Sequence, residues 1–426
     1  MNFPDMIQNS LDYIEDNLQS ELTAQELAER AGFSLFHYYR LFQSAVGMPV
    51  MQYILRRRLL HGVYAIRCGS TGIEASLRYG FDTYPGFYRA FQREFGCTPS
   101  AFIKLSRAKQ PYRICLKKEE HIIVTHKKVA EILKNWNLEN ETITDIYYEG
   151  TGNRNENACY VGDAYVLKYT ANPGKMKNHQ QLSRLIAQRG LASAVPVATV
   201  DGKDYVQEGE LYYTLTRRME GEQMHTAELY ADENKARFVG EIVGHLDLAL
   251  ENADVCVKER DLYETAEKAL DAIRDMLGLS TAFCEEYLRT FGELYPALPK
   301  QIVHRDPNPG NIICCGEQYG FIDFELSERC VRIYDPCYAA TAILSETFGR
   351  DNEVWLKIYR NIMLGYDSVV RLSEEERRAI PYVILANQLL CTAWFAGKEK
   401  FAALFETNKK MTLWVAENFD RLVIEF

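Results

Sequence analysis

The chain lacks several features that mark secreted and membrane proteins. Its first residues contain neither the basic segment nor the apolar core of a secretory signal. The most apolar late stretch, 381–397, contains Asn387 and Gln388 and is too short and polar to span a bilayer, so it predicts a buried helix. The eleven cysteines include no CxxC pair, which argues against a disulfide framework or a zinc site. We therefore expect a cytoplasmic protein with reduced thiols and no membrane partner.

Positive charge is also missing from the start of the chain and concentrated just after it. Residues 1–29 hold seven acids and no Lys or Arg. Residues 30–109 hold twelve Lys or Arg against three acids, although the net charge of the whole chain is −10. A basic block inside an acidic protein predicts a polyanion as the partner of that block. The 426 residues suffice for two or three domains.

A helix-turn-helix pattern occurs twice in the first hundred residues. Capping boxes at Thr23–Glu26 and Thr71–Glu74 start helices that lead to glycine turns at Gly32 and Gly80. Each turn is followed by a second helix, and the segments 39–47 and 88–96 align closely. A long helical stretch, 50–68, connects the two copies. An internal repeat of this kind is hard to obtain by chance.

With Ala-Gly-Phe-Ser and Tyr-Gly-Phe at its turns, this repeat resembles the AraC/XylS DNA-binding domain. The resemblance implies double-stranded DNA as the partner, with the second helix of each motif in the major groove. By position it implies base-facing residues Phe36, Tyr39 and Arg40, then Thr83, Tyr84 and Arg89. Arg40 and Arg89 would each read a guanine, or would serve as structural ion-pair partners instead. Early in the second helix stands Pro85-Gly86, which makes its base contacts less secure.

Four further arginines lie on or near the connecting stretch, and they would either meet phosphate or solvate the helix. They are Arg56, Arg57, Arg58 and Arg67. The phenylalanines of the two second helices are expected in the core rather than on DNA. They are Phe42, Phe87 and Phe91.

The stretch His304–Glu325 combines two acids and an amide, Asp306, Asn311 and Asp323. Residues 311–315 and 319–323 favour strands, and the loop 316–318 between them predicts a hairpin. Pairing residue 315 with residue 319 would place Asn311 opposite Asp323. An amide oxygen beside a carboxylate suits Mg²⁺, which usually takes only one or two protein side chains.

Upstream, 142–149 and 158–161 predict strands around a Gly/Asn loop at 150–157, and Lys168 stands in a third strand at 165–169. Together with H-R-D-x-x-x-x-N at 304–311 and D-F-E at 323–325, this order resembles the aminoglycoside phosphotransferase and choline kinase family, a branch of the protein-kinase-like fold. The resemblance implies a bilobal α+β domain that binds ATP or GTP with Mg²⁺ and a small-molecule acceptor or effector.

The resemblance also assigns roles by position. Asp306 would orient the acceptor hydroxyl and accept its proton, Asn311 and Asp323 would hold Mg²⁺, and Asp335 would brace the site. Lys168 would hold the α and β phosphates. The remaining nucleotide contacts implied are Gly150, Gly152 and Asn157 of the loop and Met219 and Glu220 of the hinge.

One part expected from the family is missing: the helix after the lysine strand should carry a glutamate that pairs with Lys168. Residues 178–182 contain no carboxylate. Either the helix register differs, or its amides orient Lys168, or the lysine is imperfectly preorganised.

We predict a multidomain chain: an all-α double helix-turn-helix domain at 1–105, a linker at 106–125, and a bilobal kinase-like domain at 126–426. The small lobe would span about 126–220 and the large lobe about 221–426. The favoured function is an AraC-type transcription regulator fused to a small-molecule phosphotransferase. The alternatives are a non-catalytic kinase-like domain that senses a ligand, and an antibiotic phosphotransferase with a vestigial DNA-binding part.

Overall fold

The computed structural model describes residues 3–104, 108, 110–114, 116, 124–147, 154–349, 351–398 and 401–425. It divides into two compact units, an N-terminal unit of residues 1–163 and a C-terminal unit of residues 164–426. The predicted domain bounds, with a linker at 106–125, remain predictions.

The N-terminal unit contains the predicted repeat of helix, glycine turn and helix. Its first helices are α1 (Phe3–Asp16), α2 (Ala24–Arg30), α3 (Leu35–Val46), α4 (Val50–Arg67), α5 (Gly72–Arg78), α6 (Tyr84–Phe95) and α7 (Pro99–Lys104). The turns after α2 and α5 are made by Gly32 at φ 75° and Gly80 at φ 78°, a left-handed conformation that favours glycine. α2 with α3 is the first motif and α5 with α6 the second.

The two second helices match in their backbone as well as in their sequence. α3 and α6 have 12 residues each, and each begins after a hydroxyl N-cap, Ser34 or Thr83. Each ends at a left-handed glycine, Gly47 at φ 83° or Gly96 at φ 68°.

The first helices of the motifs differ in their caps. Thr71 and Glu74 form the complete reciprocal capping box that was predicted. Thr23 accepts from the backbone of Glu26, but the carboxylate of Glu26 accepts a hydrogen bond from Tyr13 Oη instead of returning to the cap. The predicted box at Thr23–Glu26 is therefore only half formed, because Tyr13 holds the carboxylate.

α4 serves the cores of both motifs. Tyr53 and Ile54 pack with the first motif and α1, while Leu59 and Val63 pack with the second. The predicted core phenylalanines are confirmed, since all three are fully buried: Phe42, Phe87 and Phe91.

Part of the predicted linker packs on these helices. Arg67 Nη1 donates to Ala108 O at 2.6 Å, and Gln8 Nε2 donates to Ile114 O at 2.9 Å. Both Ala108 and Ile114 are buried. Ala108 and Ile114 thus pack against the N-terminal helices.

The N-terminal unit ends with α8 (His126–Leu133), a 3-10 turn (Lys134–Trp136) and the antiparallel strands β1 (Ile143–Tyr147) and β2 (Arg154–Val161). β2 begins four residues before the predicted strand. Residues 154–157 therefore belong to a strand and not to the predicted Gly/Asn loop.

The C-terminal unit has a strand-rich first part and a helical second part. Its helices are α9 (Pro173–Gln188), α10 (Thr226–Ala231), α11 (Glu233–Leu250), α12 (Leu262–Leu277), α13 (Thr281–Leu294), α14 (Tyr334–Thr347), α15 (Asn352–Val369), α16 (Glu374–Phe395) and α17 (Ala402–Glu417). Its strands are β3 (Tyr165–Thr170), β4 (Ala192–Ser193), β5 (Val206–Glu208), β6 (Leu211–Arg217), β7 (Glu222–Gln223), β8 (Lys300–Val303), β9 (Ile312–Cys315), β10 (Gln318–Phe321) and β11 (Glu328–Val331).

Three sets of strands frame the site of this unit. β3 and β5 both pair antiparallel with β6. β4, β10, β9 and β7 form a four-stranded sheet, and β8 pairs with β11. β8 leads directly into residue 304, while β9 and β10 flank the hairpin turn that precedes residue 323.

The helical part is tightly packed around α11 and α15. A Cβ atom at Gly240 would lie 1.9 Å from Ile362 O, and one at Gly365 would lie 2.0 Å from Arg237 O, so glycine is required at both crossings. α16 contains most of the predicted buried helix, and Asn387 and Gln388 are buried within it. Within the described ranges, no helix has the length and apolar character needed to cross a membrane.

Candidate active site and candidate DNA interface

The hairpin of the predicted active site forms, but in a different register. Cys315 lies opposite Gln318, so the predicted pairing with Tyr319 is wrong by one residue. The connection is the two-residue turn Gly316-Glu317, in which Gly316 adopts φ 62°. Glycine at the first central position suits a two-residue hairpin turn, and this turn displaces the predicted three-residue loop.

The shift changes how the two predicted metal ligands are placed. Asn311 ends a 3-10 turn, and its carbonyl oxygen accepts from Ile322 N at 3.1 Å, so it lies opposite Ile322 and not opposite Asp323. Asp323 follows in a left-handed conformation at φ 72°, which takes it out of the strand ladder. Both side chains still lie at the open end of the hairpin, although the predicted cross-strand pair is wrong.

Asp306 is held by two neighbouring amides. Asn308 Nδ2 donates to Asp306 Oδ1 at 2.7 Å, and Asn311 Nδ2 donates to Asp306 O at 2.9 Å and to Oδ2 at 3.3 Å. Burial, together with the charge of Asp323, raises the pKa of Asp306 to about 6 against the lowering effect of the Asn308 hydrogen bond. Asp306, Asn311 and Asp323 therefore belong to one electrostatic site.

His304 and Asp335 fix the backbone of the loop that carries Asp306. The buried His304 ring donates from Nε2 to Ile322 O at 2.9 Å and accepts from Asp306 N at 3.2 Å. Burial lowers the pKa of His304 to about 4, so the ring is neutral. Asp335 accepts from the backbone amides of His304 at 2.7 Å and Arg305 at 2.8 Å. The predicted bracing position of Asp335 is confirmed.

Behind Asp335 lies a second buried carboxyl group, Asp247 on α11. Tyr366 Oη donates to Asp247 Oδ2 at 2.7 Å. Burial and the neighbouring Asp335 raise the pKa of Asp247 well above its ordinary value, and burial raises the pKa of Asp335 to about 7. Two adjacent carboxyl groups cannot both ionise cheaply in such a place, so the pair retains a proton.

Lys168 reaches the same site from strand β3. Its Nζ donates to Asp323 Oδ1 at 2.8 Å and to Glu325 Oε1 at 3.2 Å. Burial acts to lower the pKa of Lys168, but these two carboxylates raise it above its ordinary value. Burial likewise opposes ionisation of Asp323, yet the Lys168 ammonium wins and lowers the pKa of Asp323 to about 2. Lys168 and Asp323 are thus both ionised.

α9 carries no carboxylate for Lys168, as predicted. Its amides bond elsewhere, because Asn178 Nδ2 donates to Ser327 O at 2.9 Å and Gln180 Nε2 donates to Asp204 O at 3.1 Å. The alternative that helix amides orient Lys168 is therefore wrong. His179 of the same helix is buried, and burial followed by the charge of Lys168 lowers its pKa to about 3.

The remaining predicted nucleotide contacts are only partly defined by the structure. Gly150 and Gly152 lie outside the described residues. Asn157 is exposed on β2, within the N-terminal unit. Met219 follows β6 and packs on Gly320 of β10, where a Cβ would lie 2.5 Å from its Cε, while Glu220 is exposed.

The predicted DNA-facing residues differ in how they are presented. Phe36 is 74% exposed, and Arg40 and Arg89 are exposed with no ion pair found in the part of the chain that the structure describes. This disfavours the alternative in which both arginines are structural ion-pair partners. Thr83 Oγ1 is occupied as the N-cap by Gly86 N at 3.2 Å. Tyr84 is half-buried and stacks on a core phenylalanine. Tyr39 is half-buried as well.

The four arginines on or near α4 all make contacts within the protein. Arg56 pairs with Glu94 at 2.7 Å, and Arg57 is buried against Glu15 with an Nε–Oε1 distance of 2.5 Å. Arg58 donates to two backbone carbonyls, those of residues 18 and 20, at 2.9 and 2.6 Å. Arg67 donates to a carbonyl as described above. Because these four side chains are bonded within the protein, fewer arginines are available to contact DNA than the sequence suggested.

The model of the phosphotransferase enzyme family matches residues 150–368, which is more than half of the chain. The chain belongs to the phosphotransferase enzyme family. A second model, described as a helix-turn-helix domain, matches residues 27–105. The two matches confirm the fold class: an all-α double helix-turn-helix part of AraC type, followed by an α+β kinase-like part.

Relatives of the N-terminal unit include proteins named as transcriptional regulators. The chain is 32% identical over 98 residues to the HTH-type transcriptional activator AarP of Providencia stuartii, covering 23% of this chain and 73% of AarP. It is 34% identical over 98 residues to the transposon Tn10 TetD protein of Escherichia coli, covering 23% of this chain and 71% of that protein. It is 32% identical to the transcriptional regulator Rob of Salmonella typhimurium, but spans only 35% of its length.

Solved kinase structures share the fold of the phosphotransferase part. The amicoumacin kinase hAmiN, in complex with AMP-PNP, Ca²⁺ and Ami, superposes with a TM-score of 0.52 at 14% identity, covering 67% of this chain and 92% of that one. The microcompartment-associated aminopropanol kinase gives 0.51 at 14% identity, covering 70% and 98%. At these identities the likeness shows the fold alone.

The structure adds four residues to the candidate active site that the sequence did not single out. They are Asn308, Asp247, His179 and Glu325. The D-F-E triplet contained Glu325, but its reach to Lys168 spans 157 residues of sequence and had no local signal. A buried histidine and a buried aspartate on helices have no distinguishing sequence pattern either.

Proposed function

We propose that the C-terminal unit transfers the γ-phosphoryl group of ATP or GTP to a hydroxyl of a small molecule, and that the N-terminal unit binds double-stranded DNA. The chain would thus be a transcription regulator fused to a small-molecule kinase. One observation carries the first part: Asp306 is bonded to Asn311 while Asp323 is bonded to Lys168, and all four lie in one site.

The donor set fits a magnesium ion. Asn311 gives its amide nitrogen to Asp306, which leaves its amide oxygen for a cation, and Asp323 adds a carboxylate. One or two oxygen ligands are the usual protein share for Mg²⁺, with phosphate and water completing the shell. When bound, the ion would neutralise charge on the phosphates.

Asp306 is the residue that would receive the acceptor hydroxyl. The two asparagine amides fix its carboxylate, and a pKa of about 6 leaves it ionised at neutral pH yet basic enough to take a proton. As the acceptor oxygen bonds to the γ-phosphorus, the bond to the departing nucleoside diphosphate breaks and the hydroxyl proton passes to Asp306. Lys168 would hold the α and β phosphates as a point charge.

Phosphoryl transfer can be tested with a panel of acceptors. The full chain with Mg²⁺ and γ-labelled ATP or GTP is expected to label at least one of a set of aminoglycosides, amino alcohols and sugars. Asp306→Asn is expected to remove the labelled product while leaving Mg·AMP-PNP binding in place. Label transfer that survives this substitution would contradict the assigned role of Asp306.

A ligand-sensing unit without turnover is the second candidate. It is favoured by the absence of a carboxylate for Lys168 on α9, where Asn178 and Gln180 bond elsewhere. Under this alternative Mg·AMP-PNP binds, no acceptor is labelled, and nucleotide changes the affinity of the N-terminal unit for DNA. The same panel, combined with a DNA titration, separates the two candidates.

DNA binding is supported by the exposed arginines at equivalent places in the two matched helices. Arg40 and Arg89 each stand six residues after the N-cap of their helix. An arginine in this position can donate two hydrogen bonds to a guanine edge. Selection of DNA fragments by the full chain, followed by anisotropy titrations at one fixed salt concentration, tests this part, since phosphate contacts alone are strongly salt-dependent.

A further inference from the structure

Lys168 faces a carboxylate that the family pattern did not lead us to expect. Glu325 lies on a 3-10 turn, Phe324–Leu326, directly after the left-handed Asp323. Its Oε1 accepts from Lys168 Nζ at 3.2 Å, and both side chains are about 20% exposed. The lysine therefore has two anionic partners, one on each side of a single residue.

The turn that carries Glu325 is held at Ser327, the residue that follows it. Asn178 of α9 donates to Ser327 O at 2.9 Å, and Ser327 Oγ donates to His304 O at 3.4 Å. α9 thus anchors the segment that bears the carboxylate instead of bearing one itself. His179 of α9 lies beside the lysine, and a cavity of about 10 Å³ is lined by Lys168, His179 and Glu325 together with Met176 of α9 and residues of β3 and β6.

Asp323 and Glu325 are expected to make different contacts once nucleotide and cation are bound. Asp323 is a predicted cation ligand, so its contact with Lys168 competes with that task. Glu325 has no such assignment and can keep the lysine when Asp323 turns away. We propose that Glu325 is the positioning residue for Lys168, doing from the D-F-E segment what a helix glutamate does elsewhere in the family. This inference rests on the proposed nucleotide-binding function.

Substitution of Glu325 tests the proposal through binding of a non-reacting nucleotide. In calorimetric titrations with Mg·AMP-PNP, Glu325→Gln is expected to raise the dissociation constant by about 10- to 100-fold, the worth of a hydrogen bond to a charged group. Glu317→Gln, in the exposed hairpin turn of the same region, is the matched control and should bind as the unchanged protein does.

A second substitution separates positioning from a general structural loss. His179→Glu, introduced into the Glu325→Gln protein, places a carboxylate on α9 beside the same lysine and is expected to recover most of the lost affinity. Damage to the fold would not be repaired by a second change. Failure of the double variant to recover affinity, or normal affinity of Glu325→Gln alone, would overturn the proposal.

The cation requirement distinguishes this role from direct metal binding. If Glu325 were a cation ligand, Glu325→Gln would raise the Mg²⁺ concentration needed for half-maximal binding, and His179→Glu would not restore it. The positioning role predicts an unchanged Mg²⁺ requirement with weaker nucleotide binding at saturating Mg²⁺.

A readout without nucleotide keeps the inference separate from the proposed function. A double-mutant cycle of Lys168→Met and Glu325→Gln, read as unfolding midpoints of the C-terminal unit, is expected to be non-additive because the two side chains contact each other. If the unchanged protein binds no nucleotide, the proposed function fails while the cycle still decides the pairing. Additive midpoints would contradict the pairing itself.

Discussion

The two candidate functional regions handle positive charge in opposite ways. On α3 and α6, Arg40 and Arg89 are exposed, and no ion pair of either is found among the described residues. In the candidate active site, Lys168 is paired with Asp323 and Glu325. Exposed cations that bind a polyanion can be solvated by water and need no acidic partner within the protein. A buried cation needs acidic partners within the protein as long as no anionic ligand is bound.

The same contrast exists inside the N-terminal unit. Arg57 is buried and bonded to Glu15 and to a backbone carbonyl, and Arg56 is bonded to Glu94. These arginines connect α4 to neighbouring segments, and, like that of Lys168, their charge is balanced by acidic side chains of the protein. Counting basic residues in the sequence therefore overstates the charge available to DNA.

The largest effect is expected at Asp306. Asp306→Asn should lower the rate of phosphoryl transfer by roughly 10²- to 10⁴-fold, because the general base is lost while the hydrogen-bonded frame of the loop is kept. Rates with the acceptor found by the panel, measured at saturating nucleotide, provide the check.

Its matched control is Asp351→Asn, which removes a carboxylate that caps α15 outside the site. This control should retain the transfer rate. Equal losses in both variants would show that stability, and not chemistry, had been measured.

The next largest effect is expected on the stability of the N-terminal unit, at the ion pair of Arg57 with Glu15. Burial acts to raise the pKa of Glu15, but His61 and Arg57 overcome it and lower this pKa from 4.5 to about 2. The difference corresponds to on the order of 3 kcal/mol of stability. Because the folded-state pKa is lowered, this stability is fully present above about pH 4.5 and is lost as the pH falls through about 2.

Glu15→Gln should therefore destabilise the N-terminal unit at neutral pH, and its deficit should shrink in acid. Urea unfolding between pH 7 and pH 3 measures both. Asp16→Asn is the neighbouring control, since its pair with Arg113 is about half exposed and such surface pairs contribute little. A Glu15→Gln deficit that stays constant down to pH 3 would refute the assignment.

A smaller effect is expected from the uncompensated arginines. Arg40→Ala should cost roughly 1–3 kcal/mol of discrimination at one base pair, because a bidentate guanine contact disappears. Arg56→Ala should leave base discrimination unchanged, since Arg56 is engaged with Glu94. Competition titrations with single-base variants of the selected DNA, at matched salt, compare the two. Similar losses of selectivity in Arg40→Ala and Arg56→Ala would contradict the distinction between exposed arginines that read bases and arginines paired within the protein.

Local sequence patterns predicted the parts of the molecule that depend on near neighbours. The glycine turns at Gly32 and Gly80 and the alignment of residues 39–47 with 88–96 predicted the repeat, and its two second helices have 12 residues each. The loop from His304 to Asn311 was likewise readable, because Asp306 is bonded to residues two and five positions away.

Parts that depend on one turn or on distant contacts were not predictable. The hairpin register was wrong by one residue, because the choice between a two- and a three-residue loop rested on the conformation of Gly316. The second partner of Lys168 was missed, since Glu325 approaches it only after β3 and the hairpin are assembled. The capping role of Glu26 was misread because Tyr13 captures its carboxylate.

Nucleotide binding that depends on a divalent cation tests the central claim most directly. Calorimetric titration of AMP-PNP into the full chain should show an affinity that falls at least about tenfold when Mg²⁺ is replaced by a chelator. In Asp323→Asn, this dependence on Mg²⁺ should disappear. Equal affinity with and without Mg²⁺ in the unchanged protein, or full Mg²⁺ dependence in Asp323→Asn, would contradict the assignment of Asn311 and Asp323 as the cation-holding pair of a phosphotransferase.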